Sequence, residues 1–200
     1  ETNNEVEVFS ATRNDGDLRN FEETFHLISQ IQPDLVIDSA AKVGGIGANN
    51  SMPVEFMIEN LSIQTNIMKV CHELNIKKLV FLGSSCVYPR DSRQPIKEEY
   101  ILSGKLEATN SAYAISKIAG LELVKAYRKE YKRSWISIMP TNLYGPGDNF
   151  QMETSHVMAA LIRKFVDATM KGIDEVEVWG TGKPIREFLH VTDEIGRAHV

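Results

Sequence analysis

The sequence predicts an α/β fold, a doubly wound parallel sheet followed by a region of different composition. Three observations carry this. Apolar runs of strand length recur at residues 34–41, 78–86 and 135–139. Between them lie stretches with apolar residues at helical spacing, at residues 21–31, 53–74 and 111–127. Strands and helices alternating in this way close into parallel βαβ units. After Asp148 the pattern changes to a helix over residues 156–170, a short strand over 175–179 and the turn Gly180-Thr181-Gly182-Lys183-Pro184. The chain is therefore divided at residues 147/148.

Taken in order, residues 5–9 alternate polar and apolar and read as a strand, with Arg13 just beyond its carboxyl end. In a dinucleotide fold that position reads the adenine ribose, where an acid suits a 2′-hydroxyl and an Arg suits a 2′-phosphate. Arg13 thus favours NADP over NAD, the alternative being a solvated loop residue. Phe21, Phe25, Leu27, Ile28 and Ile31 make a helical stripe that Pro33 ends. The run Asp34-Leu35-Val36-Ile37-Asp38-Ser39-Ala40-Ala41 is nearly continuous, so a strand buried on both faces is expected. Asp38 is out of place in it, because a buried acid must be paired or neutral.

The loop Lys42-Val43-Gly44-Gly45-Ile46-Gly47-Ala48-Asn49-Asn50 follows at the strand's carboxyl end, where open parallel sheets bind ligands. It lacks the Gly-Lys-Ser/Thr of a phosphate-cradling P-loop, and a plain flexible connection is its other reading. The helix after it places Phe56, Ile63, Ile67 and Val70 on one side as core. Residues 78–86 form a buried strand ending in small hydroxylic residues, and Trp135-Ile136-Ser137-Ile138-Met139 another buried strand.

Chemistry concentrates around the helix Ser111-Ala112-Tyr113-Ala114-Ile115-Ser116-Lys117, in which Tyr113 and Lys117 stand one turn apart. A phenol titrates near pH ~10 and carries protons poorly at neutrality unless a cation stabilises its phenolate. Lys117 is spaced to do so. Ser84, at the end of the preceding strand, is placed to meet the same substrate oxygen, making Ser84, Tyr113 and Lys117 one acid/base unit. A Tyr-x-x-x-Lys pair alone also arises on ordinary amphipathic helices, so its context matters.

Bulk properties exclude several classes. A net charge of -5 is unsuited to a nucleic-acid surface. No apolar run approaches the roughly 18 residues of a membrane span. Cys71 and Cys86 are the only cysteines, and no Cys/His grouping has metal-ligand spacing, so neither a disulfide framework nor a metal site is expected. A cytoplasmic, reducing setting fits this usage.

The stretches Ala40-Ala41-Lys42-Val43-Gly44-Gly45-Ile46, Leu82-Gly83-Ser84-Ser85-Cys86, Met139-Pro140-Thr141-Asn142-Leu143-Tyr144-Gly145-Pro146 and Arg186-Glu187-Phe188-Leu189-His190-Val191, with the Tyr-x-x-x-Lys helix, resemble the extended short-chain dehydrogenase/reductase family. The resemblance runs over about residues 12–193 and is closest to members that act on GDP-4-keto-6-deoxymannose. It implies a Rossmann-like NADP(H)-binding domain over residues 1–147 that lacks its first strand-helix unit, with the Gly-x-x-Gly-x-x-Gly fingerprint upstream of Glu5. Residues 148–194 would begin a smaller substrate-binding domain, cut short. Residues 195–200 break the pattern, spell a translated sequencing adapter and are set aside as a non-native tail.

The implied reaction is 3,5-epimerisation and NADPH-dependent 4-reduction of GDP-4-keto-6-deoxy-D-mannose to GDP-L-fucose, by a homodimer when full length. The implied catalytic residues are Ser84, Cys86, Tyr113, Lys117 and His156. Cofactor contacts are implied for Arg13, Asp17, Leu18, Ala41, Lys42, Leu82, Gly83, Ser84, Ser85, Tyr113, Lys117, Pro140, Thr141, Asn142, Leu143 and His156. Substrate contacts are implied for Lys164, Trp179 and Arg186. Epimerisation needs a base on one face of the sugar and an acid on the other, and Cys and His titrate near pH ~8.5 and ~6.5, within reach of neutrality.

Each of these residues also has a structural reading. A Cys after a buried strand packs inertly, a His before a helix caps it or faces solvent, Trp179 suits a core and Lys164 a solvated helix face. Two other functions stay open. One is a different nucleotide-sugar epimerase or dehydratase, against which Cys86 and the Lys42 loop argue. The other is a non-catalytic cofactor-binding protein, against which the joint presence of Tyr113 and Lys117 argues.

Overall fold

The computed structural model describes residues 6–151, 155–178, 180–183 and 185–193. The chain forms two compact units: one of Glu1–Lys42, Val54–Gly83 and Ile115–Ile138, the other of Val43–Pro53, Ser84–Ala114 and Met139–Val200.

The first unit holds a parallel sheet in the order β1 (Leu35–Asp38), β2 (Lys78–Leu82), β3 (Ser134–Ile138). Helix α1 (Phe21–Ile31) starts where the Asn20 side chain accepts from the N–H groups of Glu22 and Glu23, and ends at Gln32 in the left-handed region, φ 48°. The crossovers from β1 to β2 and from β2 to β3 carry α3 (Pro53–Glu73) and α4 (Ser111–Tyr131). The predicted α/β class with a parallel sheet is the one observed.

Several boundaries differ from expectation. Of the strand predicted over 5–9, Glu5 lies outside the described residues, and residues 6–9 form no strand, Val6, Val8 and Phe9 being exposed with no ladder partner among the described residues. The run 34–41 is a strand only over Leu35–Asp38, and it is buried on one face. Leu79 and Trp135 pair across the sheet with Val36 in register, while Ile37 and Ile136 point the other way, 61% and 45% exposed. Side chains alternate between sheet faces, so an apolar run does not prove two covered faces. The same holds for β3, expected as fully buried. The strand expected to reach Cys86 stops at Leu82, and the chain turns at once into a short 3-10 helix, Ser85–Val87.

The buried stripe of α3 runs Phe56, Asn60, Gln64, Ile67, Met68 and Cys71, so two amides occupy core positions of a helix read from its apolar residues. Each amide ties a neighbouring segment to α3. Asn60 Oδ1 accepts from the Lys42 N–H at 2.7 Å and its Nδ2 donates to the Lys42 carbonyl at 3.0 Å. Gln64 Nε2 donates to the Ser116 carbonyl on α4 at 2.7 Å. At Gly120 a Cβ would lie 2.4 Å from the Phe81 ring and 2.9 Å from Gln64 Oε1. The missing side chain lets α4 press directly on β2.

The second unit begins with α2 (Ile46–Ser51), which replaces part of the loop expected over residues 42–50. Asn49, buried, pins it by donating to the carbonyls of Gly44 and Gly45 at 2.7 and 3.1 Å. It packs on a 3-10 turn, Ala108–Asn110, just before α4. Further on, β4 (Asn142–Tyr144) pairs in parallel with β5 (Phe188–His190), and neither strand was expected. Three residues are too few for a readable period. Between them α5 (Val157–Lys171) is the helix expected over 156–170, closed by Gly172 at φ 63°. The strand expected over 175–179 is absent at residues 175–178, and Trp179 lies outside the described residues.

Candidate active site

The lysine of the Tyr-x-x-x-Lys pair lies in the first unit. Lys117 is 3% exposed, and its Nζ donates to the Leu82 carbonyl at 2.8 Å, sitting over the Phe81 ring 4.8 Å from its centre. Gly120, one turn further on, permits this approach of α4 to β2. Burial drives the Lys117 pKa down, and the Asp38 carboxylate opposes that. Gly83 is fixed where β2 ends, its N–H donating to the Ile138 carbonyl at 2.8 Å.

Asp38 is the counter-charge. It is 2% exposed at the end of β1; Oδ1 accepts from the Ala40 N–H at 3.2 Å, while Oδ2 is buried without a hydrogen-bond partner. Burial pushes its carboxyl up to about 6, with Lys117 and the Ala40 N–H pulling the other way. The folded carboxyl holds its proton more tightly than the unfolded one, whose pKa is 3.8. Its contribution to stability is therefore complete below about pH 4 and lost as the pH rises through about 6. Asp38→Asn should make the protein more stable at pH 7 by up to about 3 kcal/mol, with the gain gone by pH 4. Urea melts of both proteins at the two pH values check this, and a gain independent of pH would contradict it.

Ser84, Cys86 and Tyr113 lie in the second unit. Ser84 caps the 3-10 turn, its Oγ accepting from the Cys86 N–H at 3.3 Å, and its hydroxyl is hydrogen-bonded to the Tyr113 oxygen. Burial, with a smaller effect from the nearby Cys86 side chain, pushes the Tyr113 phenol up to about 12 against the Ser84 hydrogen bond. The spacing of Lys117 predicts a lowered phenol; here desolvation prevails, and Tyr113 keeps its proton at neutrality. Cys86 is half-buried and a free thiol, and Asn110 Nδ2 donates to its sulfur at 3.1 Å. Ser84, Cys86 and Tyr113, separated by up to 29 positions, are thus brought together.

The other expected site residues divide as follows. Arg13 is exposed and its charge acts on Asp17, whose carboxyl is held down to about 2, chiefly by hydrogen bonds from Arg19. The Leu18 carbonyl accepts from Asn66 Nδ2 at 3.0 Å. Ala41 is half-buried. The Lys42 ammonium is neutralised by Glu55 and Glu59 of α3 at 2.6 and 3.0 Å. Ser85 is exposed in the 3-10 turn. Pro140 and Leu143 are half-buried, and Thr141 Oγ1 and Asn142 Nδ2 donate to the Glu187 carbonyl at 2.7 and 2.9 Å.

His156 stands at the N-terminus of α5, exposed, with no side-chain capping bond. Lys164 Nζ donates to the Glu177 carbonyl at 3.0 Å, and Arg186 is exposed. Trp179 lies outside the described residues. The sequence marks Asp38 only as an anomaly and does not mark Asn110 at all: an Asn before a helix carries no signal beyond capping.

The chain is similar to known proteins along almost its whole length. The family model for the NAD dependent epimerase/dehydratase family matches residues 1–199. GDP-L-fucose synthase of Escherichia coli (strain K12) is 46% identical over 193 residues, 96% of this chain and 60% of the relative. GDP-L-fucose synthase 1 of Arabidopsis thaliana is 53% identical over 177 residues, 88% of this chain and 55% of the relative. The crystal structure of a GDP-L-fucose synthetase from Naegleria fowleri bound to NADP superposes with a TM-score of 0.82 at 35% identity, covering 92% of this chain and 60% of that one. The chain thus spans 55% to 60% of the length of these relatives. With a parallel α/β sheet, a Tyr-x-x-x-Lys helix at its carboxyl edge and a family model matched along its length, the chain belongs to the NAD dependent epimerase/dehydratase family.

Proposed function

We propose that this chain supplies the catalytic core of an NADP-dependent epimerase/reductase that converts GDP-4-keto-6-deoxy-D-mannose to GDP-L-fucose. The observation that carries the reading is the Ser84, Tyr113 and Cys86 cluster, with Lys117 one turn along α4 from Tyr113. It is supported by two GDP-L-fucose synthases 46% and 53% identical to the chain.

The residues fit a dinucleotide phosphate. Arg13 is exposed and offers a planar guanidinium to a 2′-phosphate. Gly83 and Ser84 leave the carboxyl end of the central strand, where parallel sheets take ligands. When bound, NADPH supplies hydride for C4 of the sugar. Tyr113, kept protonated by burial, gives its proton to the C4 oxygen, and Ser84 orients that phenol. Lys117 provides the cation that offsets the charge left on Tyr113. Cys86 and His156 move the protons at C3 and C5, a pair that a simple reductase does not need. Lys164, Trp179 and Arg186 serve the GDP moiety, and the full-length protein is a homodimer.

The test uses a full-length protein carrying these residues, supplied with the 4-keto sugar nucleotide and either NADPH or NADH. NADPH should be preferred, with GDP-L-fucose identified as product by NMR. Arg13→Ala should erode the preference by about tenfold or more, the value of a charge-assisted hydrogen bond. Equal use of both cofactors by the unmutated protein would contradict the role of Arg13, and a product other than GDP-L-fucose would contradict the substrate.

A further inference from the structure

Asn110 has no part in the reaction as described, yet it touches the side chain assigned to epimerisation. Its Nδ2 donates to Cys86 Sγ at 3.1 Å, and its Oδ1 is buried with no hydrogen-bond partner. The residue closes the 3-10 turn Ala108–Asn110, which packs on α2, and the next residue, Ser111, begins α4. Its position is therefore set by two elements of the second unit.

We propose that Asn110 is the positioning residue of Cys86, its carboxamide N–H fixing the sulfur and favouring the anionic form that abstracts a proton. A donor aimed at sulfur stabilises a thiolate more than a thiol, since the hydrogen bond to an ion is the stronger. Among the described residues, a titratable group that faces Cys86 is Tyr113, whose phenol stays neutral. Asn110 thus supplies the polarity that its neighbour on α4 does not. The carboxamide also suits both states of a proton carrier: N–H donates to the thiolate, and the open oxygen is an acceptor beside it. This inference rests on the reading of Cys86 as a proton carrier.

Thiol alkylation reads the thiolate directly, without turnover. Cys71 does not interfere: it is 0% exposed, and burial pushes its thiol up to about 12. Iodoacetamide at neutral pH therefore reports Cys86 in the full chain. Removing a hydrogen bond to an ion shifts the thiolate equilibrium by about tenfold. A more basic thiolate is also a better nucleophile, which offsets close to half of that on a logarithmic scale and leaves the rate down about three- to fourfold.

Asn110→Ala should show that loss. Asn110→Asp, which keeps the shape but replaces the donor by an anionic oxygen, should be slower still. Wild-type rates in Asn110→Asp would overturn the proposal, because shape alone would then suffice, and so would an unchanged rate in Asn110→Ala. The isosteric variant decides the matter if the alanine variant fails to fold. The underlying reading is tested separately: if alkylation slows as expected but Cys86→Ser still exchanges the sugar protons in the full-length protein, Asn110 positions Cys86 and Cys86 is not the proton carrier.

Discussion

Tyr113→Phe should remove ketone reduction from the full-length protein, with the rate falling roughly 10²- to 10⁴-fold, the usual worth of a positioned general acid. The substitution deletes one oxygen from a half-buried ring, so the packing of α4 persists and NADPH binding changes little. What is lost is the proton for the C4 oxygen and the partner of Ser84. Because burial pushes the phenol up to about 12, the acid form is fully populated at neutrality, and the unmutated rate should not fall as pH rises until well above 9 on account of this group. Stopped-flow oxidation of NADPH with and without the sugar separates binding from turnover. An unchanged rate in the Phe variant would remove Tyr113 from the chemistry.

The helices were legible because their apolar stripes have a period: residues 21–31 and 53–74 match α1 and α3 to within one residue. The sheet was legible as three apolar runs but not in its burial, since Ile37 and Ile136 are as apolar as Leu79 and Trp135 and differ only in the face they occupy. Asn60 and Gln64 were hidden for the opposite reason. An amide in a core stripe reads as a break in the pattern until its partners, Lys42 and Ser116, are known, and these lie 18 and 52 positions away. The division into units was not legible as a change of composition, because the chain crosses between them at several points, one of them within α4, between Ala114 and Ile115.

At the site, Tyr113 and Lys117 could be read from spacing on one helix and Ser84 from its place at the end of a strand, whereas Cys86 depended on a motif. Nothing in the sequence foretold that Asn110 would meet the Cys86 sulfur. Asp38 was legible only as an anomaly; its meaning came from the buried ammonium of Lys117 across the sheet layer.

Cys86→Ser and His156→Gln should separate the two halves of the reaction. Hydride transfer to C4 requires the Tyr113 group, but inversion at C3 and C5 requires a base and an acid that Tyr113 cannot supply to both faces of the ring. Each variant should therefore lose epimerisation by about 10²-fold or more while still oxidising NADPH to unepimerised product. Serine is the sharper probe, since its hydroxyl is far less acidic than a thiol and cannot act as a base near neutrality. His156, exposed at the start of α5, should tolerate Gln without loss of fold.

The most direct measurement is the position of solvent deuterium in the product. The full-length protein, given the 4-keto sugar nucleotide and NADPH in deuterated water, should yield GDP-L-fucose labelled at both C3 and C5, and the Cys86→Ser, His156→Gln double variant a reduced sugar labelled at neither. Undiminished deuterium at both carbons in the double variant would show that other groups move the protons, and would return Cys86 and His156 to structural roles.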